Sequence, residues 1–486
     1  MVTYTLQSRW KIENRKLCYY GLRNRGEMFH NTISLTKKQY SVISSLPKVL
    51  SQPEKKILGK LLGKQVVPEA ELKKIPKSLS EARFCKSCPA NDFIIPGLEF
   101  DSDGCCPLCQ TAEDTQRLKS IVPLVTSIPK SKHSRFDAAL FYTGGKDSTF
   151  LLYYLAKVKN LRVLALTWNI PFMSDSALQS IEGAKKNFST VEFISRTVES
   201  DLLTNIYKSL YELSENVCAC PSLAYLLFYP ELVTNRVPYF LAGNEPVQML
   251  GLYYNHLAPK LAYSFSENKF LNLLVNAGRI LTLRPPLKRG QFHTLMTMKQ
   301  IAYGDNLIKK LSGYSNELVT NVVKAIHTVP ELLPPLKRSI RVSSRTGNIP
   351  AFVHFDFNEI CNEIFGSDSK SKSGYDWIKI KRLLTEKCGW VSPDESNKSL
   401  HTSCSLERCK DYSQFLRFYQ CRSKLIPFSS LEISLAGRNN QTPKEDIIME
   451  MENFLGLSLD EPPECMLMRN YLESDINKKP LSELKI

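Results

Sequence analysis

Apolar residues follow three different rhythms along this chain. At the start Val2, Tyr4 and Leu6 alternate with polar neighbours, and a second apolar patch covers residues 17–22; a period of two predicts strands with one buried face. From Thr36 the interval lengthens, and Tyr40, Val42, Ile43 and Leu46, then Ile57, Leu58, Leu61 and Leu62, recur near helical spacing. Residues 1–84 therefore read as a small α+β domain. Between Cys85 and Cys109 the chain is rich in Cys, Pro, Gly and Asp, which predicts loops held by something other than an apolar core. A polar linker and a helix are expected to about Lys132.

The third rhythm begins at Phe136. Short β-rich runs at 137–142, 161–168, 191–195, 238–242 and 280–284 alternate with helical stretches. That alternation predicts an α/β fold, a mostly parallel, doubly wound sheet wrapped on both faces. Residues 330–348 read as a connector containing Pro and Arg, 367–373 as an exposed loop, and the remainder to Ile486 as mixed helical structure. The expected organisation is a basic domain at 1–84, a cysteine knuckle and linker helix at 85–132, an α/β core at 133–330, and a helical C-terminal extension at 331–486 that closes over a substrate.

Length agrees with two or three domains, since the chain has 486 residues and domains average about 100–200. The formal charge of +16 is uneven: residues 1–84 hold 17 Lys/Arg against 6 Asp/Glu, a net +11. RNA or a peptide is one expected partner for this segment, and a merely solvated basic surface is the other reading. No apolar run approaches the roughly 20 residues that cross a bilayer, so no membrane insertion is expected. With no apolar leader either, the cytoplasm is the expected location. Fourteen cysteines in close-spaced pairs suit metal or thiol chemistry in a reducing compartment better than a disulfide scaffold.

The densest chemistry is Tyr142-Thr143-Gly144-Gly145-Lys146-Asp147-Ser148-Thr149, set between an apolar strand and a helix. Two glycines let main-chain amides converge on an anion, and the helix N-terminus adds partial positive charge. Lys146, Ser148 and Thr149 supply further donors. The loop is not a Walker A motif, because Leu140 stands where that pattern has Gly and Asp147 where it has Ser or Thr. It resembles the SGGxDS signature of the N-type ATP pyrophosphatases, the PP-loop family, with Thr143 in place of the first Ser. The resemblance implies that Gly144, Gly145, Lys146, Asp147 and Ser148 cradle the pyrophosphate of ATP, with Mg²⁺ neutralising charge, while AMP passes to a substrate oxygen. It also implies that Thr167, Trp168 and Asn169 receive adenine and ribose, that Gly243, Asn244 and Glu245 form a second ligand loop, and that Arg284 belongs to an Arg-Pro-Leu element, here with an extra Pro.

Cys85-x2-Cys88 and Cys106-x2-Cys109 are separated by seventeen residues, the spacing of a four-cysteine Zn²⁺ knuckle. Cys105 is an alternative fourth ligand, and an iron–sulfur cluster an alternative occupant. A CxxC, residues 96–101 (PGLEFD), Gly104, a second CxxC and then the phosphate loop are together similar to the N-acetyl sugar amidotransferases of surface-polysaccharide synthesis. That likeness runs from about Cys85 into the C-terminal region. It implies ATP-dependent conversion of an acetamido oxygen on a nucleotide sugar into an amidine, with ammonia from a glutaminase subunit.

Other residues carry weaker signals. Cys218 and Cys220 could serve sulfur transfer, although buried structural cysteines are commoner. His401, Cys404 and Cys409 offer only three loosely spaced metal ligands. Asp356 with His354, and Asp376 with Trp377, are candidate substrate contacts in the C-terminal part, and nothing in their spacing raises them above solvated surface residues. Three functions fit: an amidotransferase, a sulfurtransferase acting on a thioamide or RNA base, and a nucleotide-dependent binding protein.

Overall fold

The computed structural model describes residues 2–24, 31–110, 124–216, 220–255, 269–304, 317–366, 375–393, 404–438 and 443–473. At its centre five strands, β1 (Ala138–Phe141), β2 (Val163–Trp168), β3 (Glu192–Arg196), β4 (Tyr239–Ala242) and β5 (Ala351–Phe352), form one sheet in the order β3-β2-β1-β4-β5. Every pairing is parallel, with Leu140 opposite both Ala165 and Leu241. Strand order reverses at β1: the chain runs outward through β2 and β3 on one side, then crosses back to β4 and β5 on the other. Open α/β sheets bind ligands at such a switch point, beyond the carboxyl ends of the strands.

Side chains alternate across each strand, and here both faces are buried. Ala139, Leu164, Leu166, Phe240 and Phe352 join one core with helices Cys220–Thr234, Gln291–Tyr303 and Leu333–Thr346. Ala138, Leu140, Val163, Ala165, Leu241 and Ala351 join the other. Packed there are helix α1 (Lys146–Tyr153), helix Asp175–Asn187 and a helix from the C-terminal half, α3 (Trp377–Cys388). Helix α2 (Pro246–Tyr254) follows β4, and α4 (Phe428–Arg438) packs beside it. The architecture is the expected doubly wound α/β sheet with a helical C-terminal part.

Three expectations need correction. The run at 280–284 is not a strand: Ile280 and Leu281 end the helix Lys269–Leu281, and Leu283 turns with φ 54°. A short apolar run does not by itself distinguish strand from helix end. The connector at 330–348 is largely the helix Leu333–Thr346, because Leu333, Leu336 and Ile340 fall on one buried stripe and its prolines occupy the first turn, where no amide donor is needed. Since β5 lies beyond residue 330, that boundary does not separate the α/β core from the C-terminal part. The linker helix expected before Lys132 falls mostly outside the described residues, as does the loop at 367–373.

In the N-terminal domain, Thr3–Leu6 pairs antiparallel with Lys48–Val49 and Val66–Pro68, while Trp10–Glu13, Lys16–Tyr19 and Thr32–Ser34 form a second sheet. Thr36 caps helix Lys37–Ser44 in a reciprocal pair with Gln39. Part of this domain's positive charge is structural. The Arg9 guanidinium, 6% exposed, donates to Phe418 O at 2.6 Å and Tyr419 O at 2.5 Å, capping helix Glu407–Tyr419. Carbonyls at a helix C-terminus lack intrahelical donors and favour such a cation. Lys11 extends the contact to Cys421 O at 3.2 Å.

Candidate nucleotide site and four-cysteine centre

β1 delivers the chain to the phosphate loop at the switch point, and α1 leaves from it. Gly144 has φ 73°, and a Cβ there would stand 2.4 Å from Ala177 O, so the position requires glycine. The loop is braced from within: Thr143 Oγ1 lies 3.2 Å from Ser148 Oγ, which donates to Gly145 O at 3.1 Å, while Thr149 Oγ1 donates to the same carbonyl at 2.9 Å. Amides in the first turn of α1 have no intrahelical acceptor. From the next strand Gly243 closes on the loop, and a Cβ there would meet the Ser148 amide nitrogen at 2.5 Å.

Lys146, 8% exposed, is held by acids and aromatics. Its Nζ lies 2.5 Å from Asp147 Oδ1, 2.6 Å from Tyr375 Oη and 3.6 Å from Glu245 Oε2, with the Tyr375 and Trp377 rings beneath it at 4.9 and 5.1 Å. Tyr375 also donates to Asp147, and Trp377 Nε1 donates to Glu245 Oε2 at 2.9 Å. Burial alone lowers the Lys146 ammonium, but the Asp147 and Glu245 carboxylates more than offset this and leave it raised. Burial, and then the neighbouring Asp147 and Glu432 carboxylates, outweigh the pull of Lys146 and leave the Glu245 carboxyl raised to about 7. Asp147 and Glu245 both turn their carboxyl groups to Lys146 Nζ.

The expected residues divide accordingly. Thr143, Gly144, Gly145, Lys146, Asp147, Ser148 and Thr149 converge with Gly243 and Glu245, and Asn244 sits between these two with its amide on Ala242 O at 2.9 Å. Thr167 Oγ1 is committed to Tyr142 O at 2.9 Å, so its side chain ties β2 to β1. Trp168, 7% exposed, ends β2 in the core, and its buried Nε1 finds no acceptor among the described residues. Asn169 is exposed, with its side chain 3.3 Å from Thr197 Oγ1. Arg284 lies exposed in the turn after helix Lys269–Leu281 and is not drawn into the loop's contacts.

Sequence reasoning missed Tyr375 and Glu432, and named Trp377 without raising it above a surface residue. Asp376, read as a surface residue, caps α3 through Ile378 N at 2.9 Å and Lys379 N at 3.1 Å, which aims its two aromatic neighbours at Lys146. Glu432 carried a usable signal: it is the lone acid between Lys424 and Glu445, in a segment whose helix is buried over nearly its whole length. Acids are rarely buried without a role.

The four-cysteine set is compact. Cys85, Cys88, Cys106 and Cys109 place their sulfurs within 4.8 Å of one another, so Cys109 rather than Cys105 completes it. Sulfur separations of 3.7 Å for Cys85–Cys109, 3.5 Å for Cys88–Cys106 and 3.9 Å for Cys106–Cys109 match the edge of about 3.8 Å of a tetrahedron whose centre is ~2.3 Å from each sulfur. Mutual hydrogen bonding holds the Cys85 thiol low and pushes the Cys88 thiol up. α4 clamps the turns: Arg438 Nη1 donates to Leu108 O at 2.6 Å, and Gly437 passes so close to Pro89 that a Cβ would stand 2.4 Å away. Among the described residues no other group of three or more ligands assembles. His401 and Cys218 lie outside them, Cys409 is buried 3.9 Å from Met468 Sδ, and Cys404 bridges Met173.

No family model matches the sequence, and no curated protein matches it. Among solved structures the chain is similar to the U34-tRNA thiolase NcsA from Methanococcus maripaludis with its 4Fe–4S cluster, at 15% identity over 54% of this chain and 86% of that one, with a TM-score of 0.23. So distant a likeness carries no functional weight.

Proposed function

We propose that the chain is an ATP pyrophosphatase-type enzyme of the PP-loop kind, which binds ATP at residues 143–149 and transfers AMP to an oxygen of an acceptor. The observation that carries this reading is the Gly-Gly-Lys-Asp-Ser turn at the sheet's switch point, with a buried lysine at the first position of α1. Loop amides and the α1 N-terminus suit the β- and γ-phosphates. The acceptor oxygen attacks the α-phosphorus, the bond to the β-phosphate oxygen breaks, and pyrophosphate leaves into the loop. Ammonia then displaces AMP from the activated carbon, the amidotransferase reading. Lys146 turns from Asp147 and Tyr375 to the departing charge, where preorganised cations act most strongly. The test is the product pair: AMP with pyrophosphate supports the reading, and ADP with orthophosphate overturns it.

A sulfur nucleophile is the second reading, favoured by one placement. Helix Cys220–Thr234 runs back to the start of β4, which puts Cys220 at the same sheet edge as the loop. A helix N-terminus lowers a thiol pKa and activates it. Cys220→Ala abolishes turnover with a persulfide donor, whose outer sulfur Cys220 would accept as the donor thiolate leaves, in that case and leaves ammonia-dependent turnover intact in the other.

We assign the four-cysteine centre to structural zinc. All four thiolates close on one point, leaving no open coordination position, whereas a four-iron cage places an iron behind each thiolate and spreads the sulfurs further. Metal analysis finding one zinc per chain and no iron supports this; a brown, iron-containing protein overturns it.

A further inference from the structure

Helix Lys269–Leu281 and the turn after it leave a row of aliphatic side chains in solvent: Leu273 is 66% exposed, Leu281 85% and Leu283 92%. Scattered exposed leucines are ordinary, whereas a contiguous row marks an interaction surface. The helix is pinned by its other side. Buried Arg279 donates to Pro285 O at 2.8 Å and to Ser344 O at 3.1 Å on helix Leu333–Thr346, so the leucines are held outward. The chain that follows them carries charge of one sign, beginning with Arg284 and Lys288. Neither residues 269–304 nor residues 333–355 contain an Asp or Glu, and Arg284, Lys288, Arg338, Arg341 and Arg345 are all exposed.

We propose that this face docks on the surface of an anionic phospholipid bilayer, with the leucines at the acyl boundary and the arginines on headgroup phosphates. Apolar residues on one side with Lys/Arg beside them are the composition of interfacial helices. RNA fits the arginines but not the leucines, because single strands are read by aromatic stacking and cationic grooves. A second copy would set like charge against like. No helix among the described residues is long and apolar enough to span, so attachment is peripheral. The face adjoins the β5 edge of the core, where a Cβ on Gly290 would stand 2.6 Å from Phe352 O. None of this depends on the nucleotide reading.

Cosedimentation of the full chain with phosphatidylcholine vesicles, with and without phosphatidylglycerol, tests the proposal. Binding is expected to be at least about tenfold tighter to the anionic vesicles and to weaken with salt. The pair Leu281→Asp and Leu283→Asp lowers it about tenfold or more, and Arg284→Gln with Arg341→Gln lowers it about fivefold per charge removed. These side chains are exposed, so unchanged circular dichroism and melting qualify each variant, and the arginine pair carries the test if the aspartates disturb folding. The proposal is overturned by absence of vesicle binding, by binding that both pairs leave intact, or by vesicle-independent dimerisation or RNA binding through the same residues.

Discussion

The phosphate loop and the four-cysteine centre are two solutions to placing reactive side chains, and they share scaffold. Glu245 enters the nucleotide site from the start of α2, while Val247, Met249 and Leu250 of the same helix pack with the cysteines. On α4, Glu432 faces Glu245 while Leu431 and Ile433 join the cysteine cluster. The centre is assembled from one 25-residue stretch, residues 85–109, whose ligands need only two tight turns. The candidate nucleotide site draws on the segments at 143–149, 243–245, 375–377 and 432, so it exists only once the whole sheet is folded. A locally encoded site is robust to distant change, and a globally encoded one inherits the stability of everything beneath it.

Breaking the local site should have the largest effect. Cys88→Ser, or a strong chelator, removes the metal's contribution to folding. The helices packed on residues 85–109 then loosen, with an expected loss on the order of several kcal/mol in a denaturant titration. Lys146→Ala strikes the other site and leaves the metal content unchanged: kcat/KM falls about 10²-fold or more in a pyrophosphate-release assay, and stability falls by about 3 kcal/mol because Asp147 and Glu245 lose their buried cation. Gly243→Ala separates the two further. Its Cβ meets backbone rather than a flexible side chain, so it costs about 1–3 kcal/mol and lowers ATP affinity while metal content stays unchanged.

Glu245 gives a subtler probe. Its carboxyl is raised to about 7 from the usual 4.5 by burial, so the folded chain holds a proton that the unfolded chain releases. Stability from this group is full below pH 4.5 and declines as pH rises toward 7, by on the order of 2 kcal/mol. Glu245→Gln should flatten that part of the stability–pH profile; an unchanged slope shows that Glu245 does not set it. The smallest effect is expected at the domain contact, where Arg9→Ala costs about 1–3 kcal/mol and exposes the N-terminal domain to faster proteolysis.

The same contrast explains what could be read in advance. Cysteine spacing and the loop's glycines are local signals, and so was the parallel sheet, because β1 to β4 each begin and end near a change of rhythm. β5 was missed because two residues, Ala351 and Phe352, give no period. The contacts of Tyr375 and Trp377 were missed because nothing in their neighbourhood announces a lysine more than 200 positions away. Thr167 was legible as a strand end, but its hydroxyl serves the sheet, a distinction that only the hydrogen bond to Tyr142 makes. The basic charge of residues 1–84 hid a structural use, since Arg9 caps a helix about 400 residues later.

The most direct measurement is calorimetric titration of the folded, metal-replete chain with Mg-ATP. One nucleotide should bind per chain, and Lys146→Ala, with its fold intact, should weaken that binding at least about tenfold. Heat from nucleotide that is absent in the wild type, or indifferent to Lys146, contradicts a triphosphate grip at residues 143–149.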